Sequence, residues 1–288
     1  MRKLDERKIA AAFAGKSVIL TGGAGGLGSC MARILAPYWR SALLLDLNEA
    51  GLRSLASEIG GVTKGQVLAR RVDLTDVKSI EQATSDLPAD LANPDVLINN
   101  AGISIMSLAE KQPLADYRKM MEVNYFAPIA LVGRFLPGML ERGDGRLLTI
   151  ASGSGVLANY GGAGYCGSKF AIVGYIEALR QELAGTGVKT NTVLLPTVMT
   201  EFHQRVLDGE FGDMAKGLPT ITPQAAAEEL LKQTAGNTEV ISFTPTLKAG
   251  LIANGVAPSV LRLAMSVNGY LLNKKRGRAK KGLLSLRG

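Results

Sequence analysis

The sequence predicts a single-domain α/β fold, in which a doubly wound parallel sheet of about seven strands has helices on both faces. Seven apolar runs bounded by turn residues have the length of buried strands: Ser17–Thr21, Ala42–Asp46, Gln66–Val72, Asp95–Asn99, Arg146–Ala151, Val188–Leu194 and Val240–Phe243. Segments with helical periodicity separate them, near 27–36, 48–59, 76–86, 114–140, 164–184 and 223–235. This alternation is typical of parallel sheets whose right-handed crossovers leave a ligand site above the carboxyl ends of the strands.

Length and composition allow one sizeable core. The chain has 288 residues, of which 47% are hydrophobic and 20% charged, and neither a linker nor an internal repeat divides it. We expect an N-terminal arm over 1–15 with a short surface helix at Leu4–Phe13, one α/β domain over 16–245, and an extension over 246–288. Within the domain, the long connection 196–222 is typical of a substrate-binding loop, with a plain surface insertion as the alternative.

The positive charge of the chain belongs to its C-terminal extension. Glu239 is the last acidic residue, and nine of the 33 bases follow it, so the first 239 residues hold 24 bases against 25 acids. The extension also carries apolar residues at helical spacing over 260–272, followed by the basic run Lys274–Lys281. This pattern favours equally a peripheral contact with an anionic membrane and a helix packed on its own domain. Nucleic acid is disfavoured because no aromatic residues interleave with the bases.

The two cysteines, Cys30 and Cys166, have no metal-ligand spacing and are too few for a disulfide scaffold. They indicate reduced thiols, and the first twenty residues do not resemble a secretory signal, so we expect a cytoplasmic protein. The lone histidine, His203, has no neighbouring cysteine or histidine, so we expect no metal site. A surface position is favoured for it over a place in a substrate pocket.

A glycine-rich turn, Thr21–Gly28, lies between the first predicted strand and the first predicted helix after it. Glycines let the backbone approach a pyrophosphate, and the helix N-terminus that follows presents free N–H groups to the anion. The turn matches both G-x-G-x-x-G from Gly23 and T-G-x-x-x-G-x-G from Thr21. A glycine turn that binds nothing is the alternative.

Asp46 ends the second predicted strand, 18 residues after Gly28. A carboxylate at this place accepts hydrogen bonds from an adenosine ribose and repels a 2′-phosphate. Because no Arg or Lys lies in the glycine turn or directly after Asp46, the sequence favours NAD over NADP. The alternative is that Asp46 caps the next helix, a role that Asn48 fits as well.

A second group of polar residues suits carbonyl–alcohol chemistry. Tyr165 and Lys169 are four residues apart on a predicted helix, so their side chains share a face. A lysine ammonium beside a phenol should lower the tyrosine pKa and make it a proton carrier near neutral pH. Ser152, at the end of the fifth strand, is placed to hydrogen-bond a substrate oxygen.

In combination these residues resemble the short-chain dehydrogenase/reductase family, over about Lys16–Phe243. Six motifs occur in the order and spacing of that family: Thr-Gly-x-x-x-Gly-x-Gly at 21–28, Asp-Leu at 73–74, Asn-Asn-Ala-Gly at 99–102, Asn at 124, a Ser thirteen residues before the Tyr, and Tyr-x-x-x-Lys at 165–169. The resemblance implies a Rossmann-type fold and selects the Thr-Gly-x-x-x-Gly-x-Gly motif that starts at Thr21 over the G-x-G-x-x-G motif that starts at Gly23. One departure is Thr197, where the family usually has a glycine after a proline, and it puts the contact expected of Thr200 in doubt.

The resemblance also implies a catalytic tetrad of Asn124, Ser152, Tyr165 and Lys169. In it Tyr165 is the general acid/base, Ser152 orients the substrate oxygen, and Lys169 lowers the pKa of Tyr165 and holds the nicotinamide ribose. Asn124 would support a water-linked proton path to Lys169, Asp73 would bind the adenine amine, and Thr200 the nicotinamide carboxamide. The implied cofactor-binding residues are Thr21, Gly22, Gly26, Leu27, Gly28, Asp46, Leu47, Asp73, Leu74, Asn100, Ala101, Gly102, Tyr165, Lys169, Pro196, Val198 and Thr200.

We therefore expect an NAD-dependent oxidoreductase that interconverts a secondary alcohol and a ketone. The apolar 196–222 loop and the extension favour a lipophilic small-molecule substrate, such as a steroid or lipid alcohol. The alternatives are a 3-oxoacyl thioester reductase and, from another class, a non-catalytic NAD(H)-binding scaffold or redox sensor. By resemblance we expect a homodimer or homotetramer assembled through the helices near 114–140 and 164–184.

Overall fold

The seven predicted strands form one parallel sheet. The computed structural model describes residues 3–63, 65–207, 220–243 and 245–278. In chain order the strands are β1 (Ser17–Thr21), β2 (Ser41–Asp46), β3 (Val67–Arg71), β4 (Val96–Asn99), β5 (Gly145–Ile150), β6 (Val188–Leu194), β7 (Thr197–Val198), β8 (Thr220–Ile221) and β9 (Val240–Ser242). Strands β1–β6 and β9 confirm the prediction, with each end within one residue of its predicted position.

The strand order is β3-β2-β1-β4-β5-β6-β9, and β7 pairs with β8 in a separate two-stranded ladder. The chain first builds outward from β1 to β3 and then returns to place β4 on the other side of β1. The order therefore reverses between β1 and β4. Doubly wound sheets bind their ligands at such a switch point, beyond the carboxyl ends of the strands.

Helices cover the two faces of the sheet, as predicted. They are α1 (Lys3–Phe13), α2 (Gly26–Leu35), α3 (Glu49–Gly60), α4 (Val77–Ala83), α5 (Ala89–Ala92), α6 (Leu114–Met121), α7 (Ala127–Arg142), α8 (Ala163–Glu182), α9 (Glu201–Leu207), α10 (Pro223–Ala235), α11 (Pro245–Val256) and α12 (Pro258–Lys275). One apolar cluster joins a face of the sheet to α1, α2, α3 and α10. A second cluster joins the opposite face to α4, α7 and α8. Since both faces are covered, β1 is buried along its whole length.

The helix predicted over 114–140 contains one wide turn. Between α6 and α7 lies a π-helical turn, Glu122–Phe126. Pro128 has no N–H to donate to the carbonyl of Asn124, as a regular helix would require, and a π turn accommodates such a gap. The stretch Leu114–Arg142 is long and apolar enough to cross a bilayer. However, Phe135 and Met139 are buried against the sheet, which makes this stretch a core helix of the domain.

The N-terminal arm is more deeply packed than a surface helix. The predicted helix is present as α1, but its Ile9 and Phe13 side chains are fully buried. They join the apolar cluster that contains Leu230 and Leu231 of α10. The helix is therefore amphipathic, and its apolar side completes the core.

Two predicted regions are described only in part. In the 196–222 connection, β7, α9 and β8 are present, while residues 208–219 lie outside the described residues. In the extension, α12 confirms the helix expected from the apolar spacing over 260–272. The later residues of the basic run, Lys280 and Lys281, and the apolar residues after them also lie outside the described residues.

Replacing Phe13 by alanine tests the packing of α1. We expect Phe13→Ala to lower the free energy of unfolding by about 3–5 kcal/mol, because it leaves a cavity in the core. Urea denaturation followed by circular dichroism gives the value. Lys8→Ala, on the exposed side of the same helix, should change it by less than about 0.5 kcal/mol. Equal effects of the two substitutions would mean that α1 does not belong to the core.

Candidate active site

The turn after β1 is braced by the loop after β4. The Thr21 hydroxyl accepts hydrogen bonds from the backbone N–H groups of Asn100 and Ala101, both at 3.0 Å. The Asn100 side-chain amide donates to the carbonyls of Thr21 at 2.9 Å and Gly22 at 3.1 Å. These four bonds connect the two strand ends on either side of the switch point.

Two glycines of the turn are required by its geometry. Gly22 has a φ of +68°, in the left-handed region that disfavours side chains. A β-carbon on Gly28 would lie 2.0 Å from the carbonyl oxygen of Gly22. The backbone of the turn passes so close to the start of α2 that alanine or serine cannot replace Gly28.

The N-terminus of α2 opens from this turn and suits a phosphate. Gly25 is its N-cap residue, and in the described part of the chain no side chain caps it. The first N–H groups of α2 are therefore available to an anion, and the helix dipole favours negative charge there. The glycine turn and this helix end together fit the pyrophosphate of a dinucleotide.

Asp46 faces the glycine turn and does not cap the next helix. Its carboxylate accepts hydrogen bonds from the backbone N–H groups of Ala24 at 3.0 Å and Asn48 at 2.9 Å. The cap of α3 is Asn48, whose side chain accepts from the N–H of Gly51 at 3.0 Å. The two roles left open by the sequence are thus divided between the two residues. Leu47, between them, is exposed.

A basic residue lies next to Asp46 on the neighbouring strand. Arg71 of β3 is in register with Asp46 of β2, so the two side chains are on the same face of the sheet. Arg71 is exposed and close enough to Glu49 and Asp73 to lower the pKa of both carboxyls. This neighbour was not predicted, because it lies 25 residues after Asp46 in the chain.

Asp73 and Leu74 follow β3 at the same edge of the sheet. The Asp73 carboxylate accepts hydrogen bonds from the Thr75 N–H at 2.9 Å and the Thr75 hydroxyl at 2.7 Å. These bonds hold the pKa of Asp73 below its usual value. Leu74 packs against the apolar cluster that contains α7. An adenine contact by Asp73 stays a prediction.

The four tetrad residues come from three parts of the fold. Asn124 lies in the π turn before α7, Ser152 follows β5, and Tyr165 and Lys169 are in the first turns of α8. A β-carbon on Gly102 would lie 3.2 Å from Asn124 Oδ1 and 3.4 Å from Lys169 Nζ. The backbone at Gly102 is therefore close to both side chains. Lys169 Nζ is 5.9 Å from the centre of the Tyr165 ring.

Asn124 is fixed by three hydrogen bonds. Its side chain donates to the carbonyl of Ile103 and to Ser168 Oγ, and it accepts from the N–H of Ile103, each at 2.9 Å. It thereby joins the π turn to the loop after β4 and to α8. Ser168 was not among the predicted site residues, and only its place one residue before Lys169 could have pointed to it.

Burial controls the protonation of the tyrosine and the lysine. Desolvation raises the pKa of Tyr165 to about 12, and a hydrogen bond with Ser152 offsets part of the rise. Desolvation also lowers the pKa of Lys169 to about 8. The expected lowering of the Tyr165 pKa by Lys169 is therefore wrong for this structure. The physical reason is that desolvation of the buried phenol is the largest influence on its pKa, while the Lys169 ammonium donates to the carbonyl of Ile150 at 3.1 Å.

The connection after β6 contacts both the glycine turn and Tyr165. Thr200 lies against the glycine turn, since a β-carbon on Gly26 would be 2.9 Å from its Cγ2. Two residues later, the Phe202 ring lies 6.1 Å from the ring of Tyr165. Thr197, the departure from the family pattern, is part of β7 and pairs with Thr220 of β8.

The remaining predicted residues of this connection have structural neighbours. Val198 packs against the apolar cluster beneath α2, and Pro196 is half-buried. His203 is half-buried on α9, next to Phe202. Phe202 was not predicted as a site residue, because a loop sequence does not reveal which side chain turns inward. Leu27 is buried at the start of α2.

Comparison with known proteins identifies the family. The family described as short chain dehydrogenase matches residues 16–210. The chain belongs to this family. A D-threitol dehydrogenase of Mycolicibacterium smegmatis is 31% identical over 204 residues, which cover 71% of this chain and 78% of that protein. The 3-oxoacyl-[acyl-carrier-protein] reductase of Escherichia coli is 27% identical over 207 residues, covering 72% and 83% of the two chains.

Solved structures agree with this short-chain dehydrogenase assignment. The closed form of a serine dehydrogenase complexed with NADP+ is 26% identical and superimposes with a TM-score of 0.71, over 80% of this chain and 95% of that chain. Solved members of the family hold NAD in some cases and NADP in others. The chain is thus an NAD(P)-dependent oxidoreductase that acts on CH–OH groups and binds its nucleotide on a Rossmann-type fold.

Replacing Lys169 by methionine should have a stability effect that depends on pH. The pKa of Lys169 is about 8 in the folded protein and about 10.4 in an unfolded chain. The folded state binds fewer protons between these values, so the burial cost is fully present below the lower one and vanishes above the higher one. The free energy of unfolding of Lys169→Met, taken relative to that of the natural protein, should therefore be about 3 kcal/mol higher at neutral pH than near pH 10.5.

Denaturant unfolding of both proteins at a series of pH values measures this difference. Lys78→Met replaces an exposed lysine and serves as the control, with a change below about 1 kcal/mol over the same range. A difference for Lys169→Met that stays constant with pH would show that the ammonium is not buried at a cost.

Proposed function

We propose that this dehydrogenase oxidises a secondary alcohol to a ketone with NAD, and that Tyr165 carries the proton. The observation that carries the proposal is the convergence of Lys169 and Asn124 on Gly102, one residue beyond the loop that braces the glycine turn. This arrangement puts the proton-transfer groups and the expected pyrophosphate site on neighbouring pieces of backbone. A scaffold or sensor without turnover would not need a buried tyrosine beside a buried lysine.

Each residue of the tetrad has a physical role in this proposal. Bound NAD supplies the hydride acceptor, held by the glycine turn, the α2 N-terminus and Asp46. Ser152 hydrogen-bonds the substrate oxygen and keeps it beside the Tyr165 hydroxyl, with which Ser152 already interacts. In oxidation the ionised Tyr165 takes the hydroxyl proton of the substrate, and in reduction the protonated Tyr165 gives it back. Lys169 would hold the nicotinamide ribose, and Asn124 fixes the backbone of the neighbouring loop.

Replacing Tyr165 by phenylalanine tests the proton carrier. Tyr165→Phe should lower kcat for alcohol oxidation by roughly 10²–10⁴-fold, the usual contribution of a general acid/base, while NADH binding is retained. Tyr175→Phe, on the same helix, removes a hydroxyl away from the tetrad and should keep natural turnover. Oxidation by the natural protein should also rise with pH from neutral towards pH 10, because a tyrosine with a pKa of about 12 must first lose its proton. Turnover by Tyr165→Phe close to that of the natural protein would rule out Tyr165 as the proton carrier.

We infer a preference for NAD from the place of Asp46. Its half-buried carboxylate already bonds to the N–H of Ala24 in the glycine turn, so a 2′-phosphate on the adjacent ribose would meet a fixed negative charge. Arg71, beside it on β3, acts in the opposite direction, and Asp73 is close enough to counter part of its charge. Glu49, also near Arg71, pairs chiefly with Arg53. The inferred preference therefore rests on the Asp46 carboxylate, which is bonded to the glycine turn.

The affinities for NADH and NADPH measure this preference. Asp46→Asn keeps a hydrogen-bond acceptor and removes the charge, so the ratio of NADPH to NADH dissociation constants should fall by about tenfold or more, as expected for one nearby unit charge. Asp76→Asn removes a charge from the exposed cap of α4 and should leave the ratio unchanged. Tighter binding of NADPH than of NADH by the natural protein would contradict the inference.

The substrate that we propose is a lipophilic alcohol. Half-buried apolar residues follow the braced loop after β4, and Phe202 lies over Tyr165. They provide apolar surface next to the reacting position. The second candidate, reduction of a 3-oxoacyl thioester, has the support of the Escherichia coli relative and of the basic end of α12. Turnover of acetoacetyl-carrier protein much faster than of any simple ketone would favour it.

The assembly and location of the protein also stay proposals. Phe126 and Phe170 are exposed apolar side chains on the helical stretches expected to form a homodimer or homotetramer. A cytoplasmic location fits the reduced cysteines, both free in the structure. For contact with an anionic membrane, the supporting features are the exposed Val256 and Val260 near the start of α12 and the basic residues at its other end.

A further inference from the structure

The last described helix returns across the loops that flank the catalytic residues. The Tyr160 hydroxyl donates a hydrogen bond to Asn273 Oδ1 of α12 at 2.6 Å. The guanidinium carbon of Arg276, just after α12, lies 5.9 Å from the centre of the Tyr160 ring. The edge of the same ring also approaches Gly269 of α12. One aromatic side chain thus contacts two successive turns of α12 and the residue that follows the helix.

A second contact anchors α12 to the other loop. Arg278 forms an ion pair of 2.7 Å with Glu110, in the loop between β4 and α6. Both side chains are partly exposed, so this pair alone contributes little stability. Together with the Tyr160 contacts, it spans the two loops from outside.

These loops are the two sides of the catalytic cleft. The first contains Gly102, which lies against Asn124 and Lys169, and the second connects Ser152 to Tyr165. Ser107 of the first loop donates its N–H to the carbonyl of Gly161 in the second, at 2.9 Å. A helix attached to both loops at Glu110 and Tyr160 lies on the rim of the cleft.

One side of α12 is turned towards the protein. Half-buried residues on this side recur every three or four positions, at Leu261, Met265, Gly269, Asn273 and, just after the helix, Arg276, while Val267 and Tyr270 are half-buried on another side. This spacing is that of a single helical face. Since Gly269, Asn273 and Arg276 contact Tyr160, the same face continues towards the helix start with the apolar side chains of Leu261 and Met265.

We propose that α12 forms the outer wall of the substrate cleft, and that Tyr160 is a positioning residue that holds this wall by its bond to Asn273. The proposal rests on the alcohol oxidation proposed above. Leu261 and Met265 would face the part of a substrate that extends away from the reacting carbon. Large apolar substrates then depend on the closed wall, whereas small ones and the nucleotide do not. This helix lies outside residues 16–210, which the family model matches.

The test compares Tyr160→Phe, Asn273→Ala and the double variant with the natural protein. Menthol and isopropanol, a large and a small secondary alcohol, are oxidised with NAD. Loss of one half-buried hydrogen bond should raise KM for menthol about fivefold, with kcat and KM for isopropanol within about twofold. Because both single variants break the same bond, the double variant should be no worse than either. Asn268→Ala, at an exposed position of α12, is the matched control.

Two measurements separate this proposal from the proposed function. The dissociation constant of menthone from the NADH complex should rise in Tyr160→Phe even if no alcohol is turned over, whereas that of NADH should not. Hydrogen–deuterium exchange should increase in 258–275 and in the Tyr160 loop only. Absence of turnover by the natural protein contradicts the proposed oxidation alone. An unchanged affinity for menthone, or an equal loss of affinity for menthone, acetone and NADH, would overturn the proposal that α12 forms the outer wall of the cleft.

Discussion

The packing of the loop after β4 against the turn after β1 is the contact on which the site depends. Asn100 bonds to the carbonyls of Thr21 and Gly22, so the phosphate-binding turn is fixed by a neighbouring strand. Two residues further on, Gly102 lies against Lys169 and Asn124. A shift of this loop would move the turn and the proton-transfer groups together. The parallel pairing of β1 with β4 supplies the rigid base for it.

Much of this arrangement could be predicted from the sequence because it follows from local patterns. Strands buried on both faces give uninterrupted apolar runs, and turns at their ends need glycine, so seven strands were placed to within one residue. The order of the motifs predicts the tetrad, through the family resemblance. The division of roles between Asp46 and Asn48 was not predictable, because both residue types suit both roles. It required the hydrogen bonds that each side chain makes.

The protonation of the site depends on three-dimensional burial, which spacing does not contain. Tyr165 and Lys169 share a helix face in any helix, and the sequence therefore suggested a lowered phenol pKa. In the fold that face is turned into the protein, where desolvation disfavours both charges. Contacts between distant segments were equally hidden. Tyr160 and Asn273 are 113 positions apart, and neither occurs in a recognisable motif.

The place of α1 has a consequence for the order in which the protein folds during synthesis. Its buried residues, Ile9 and Phe13, pack with α10, whose residues are made more than 200 positions later. At roughly 5–20 residues per second, the partner of α1 appears on the order of ten seconds or more after α1 itself. During this interval α1 exposes the apolar side of an amphipathic helix that will later pack on α10. It therefore reaches its full set of native neighbours only long after it has been made.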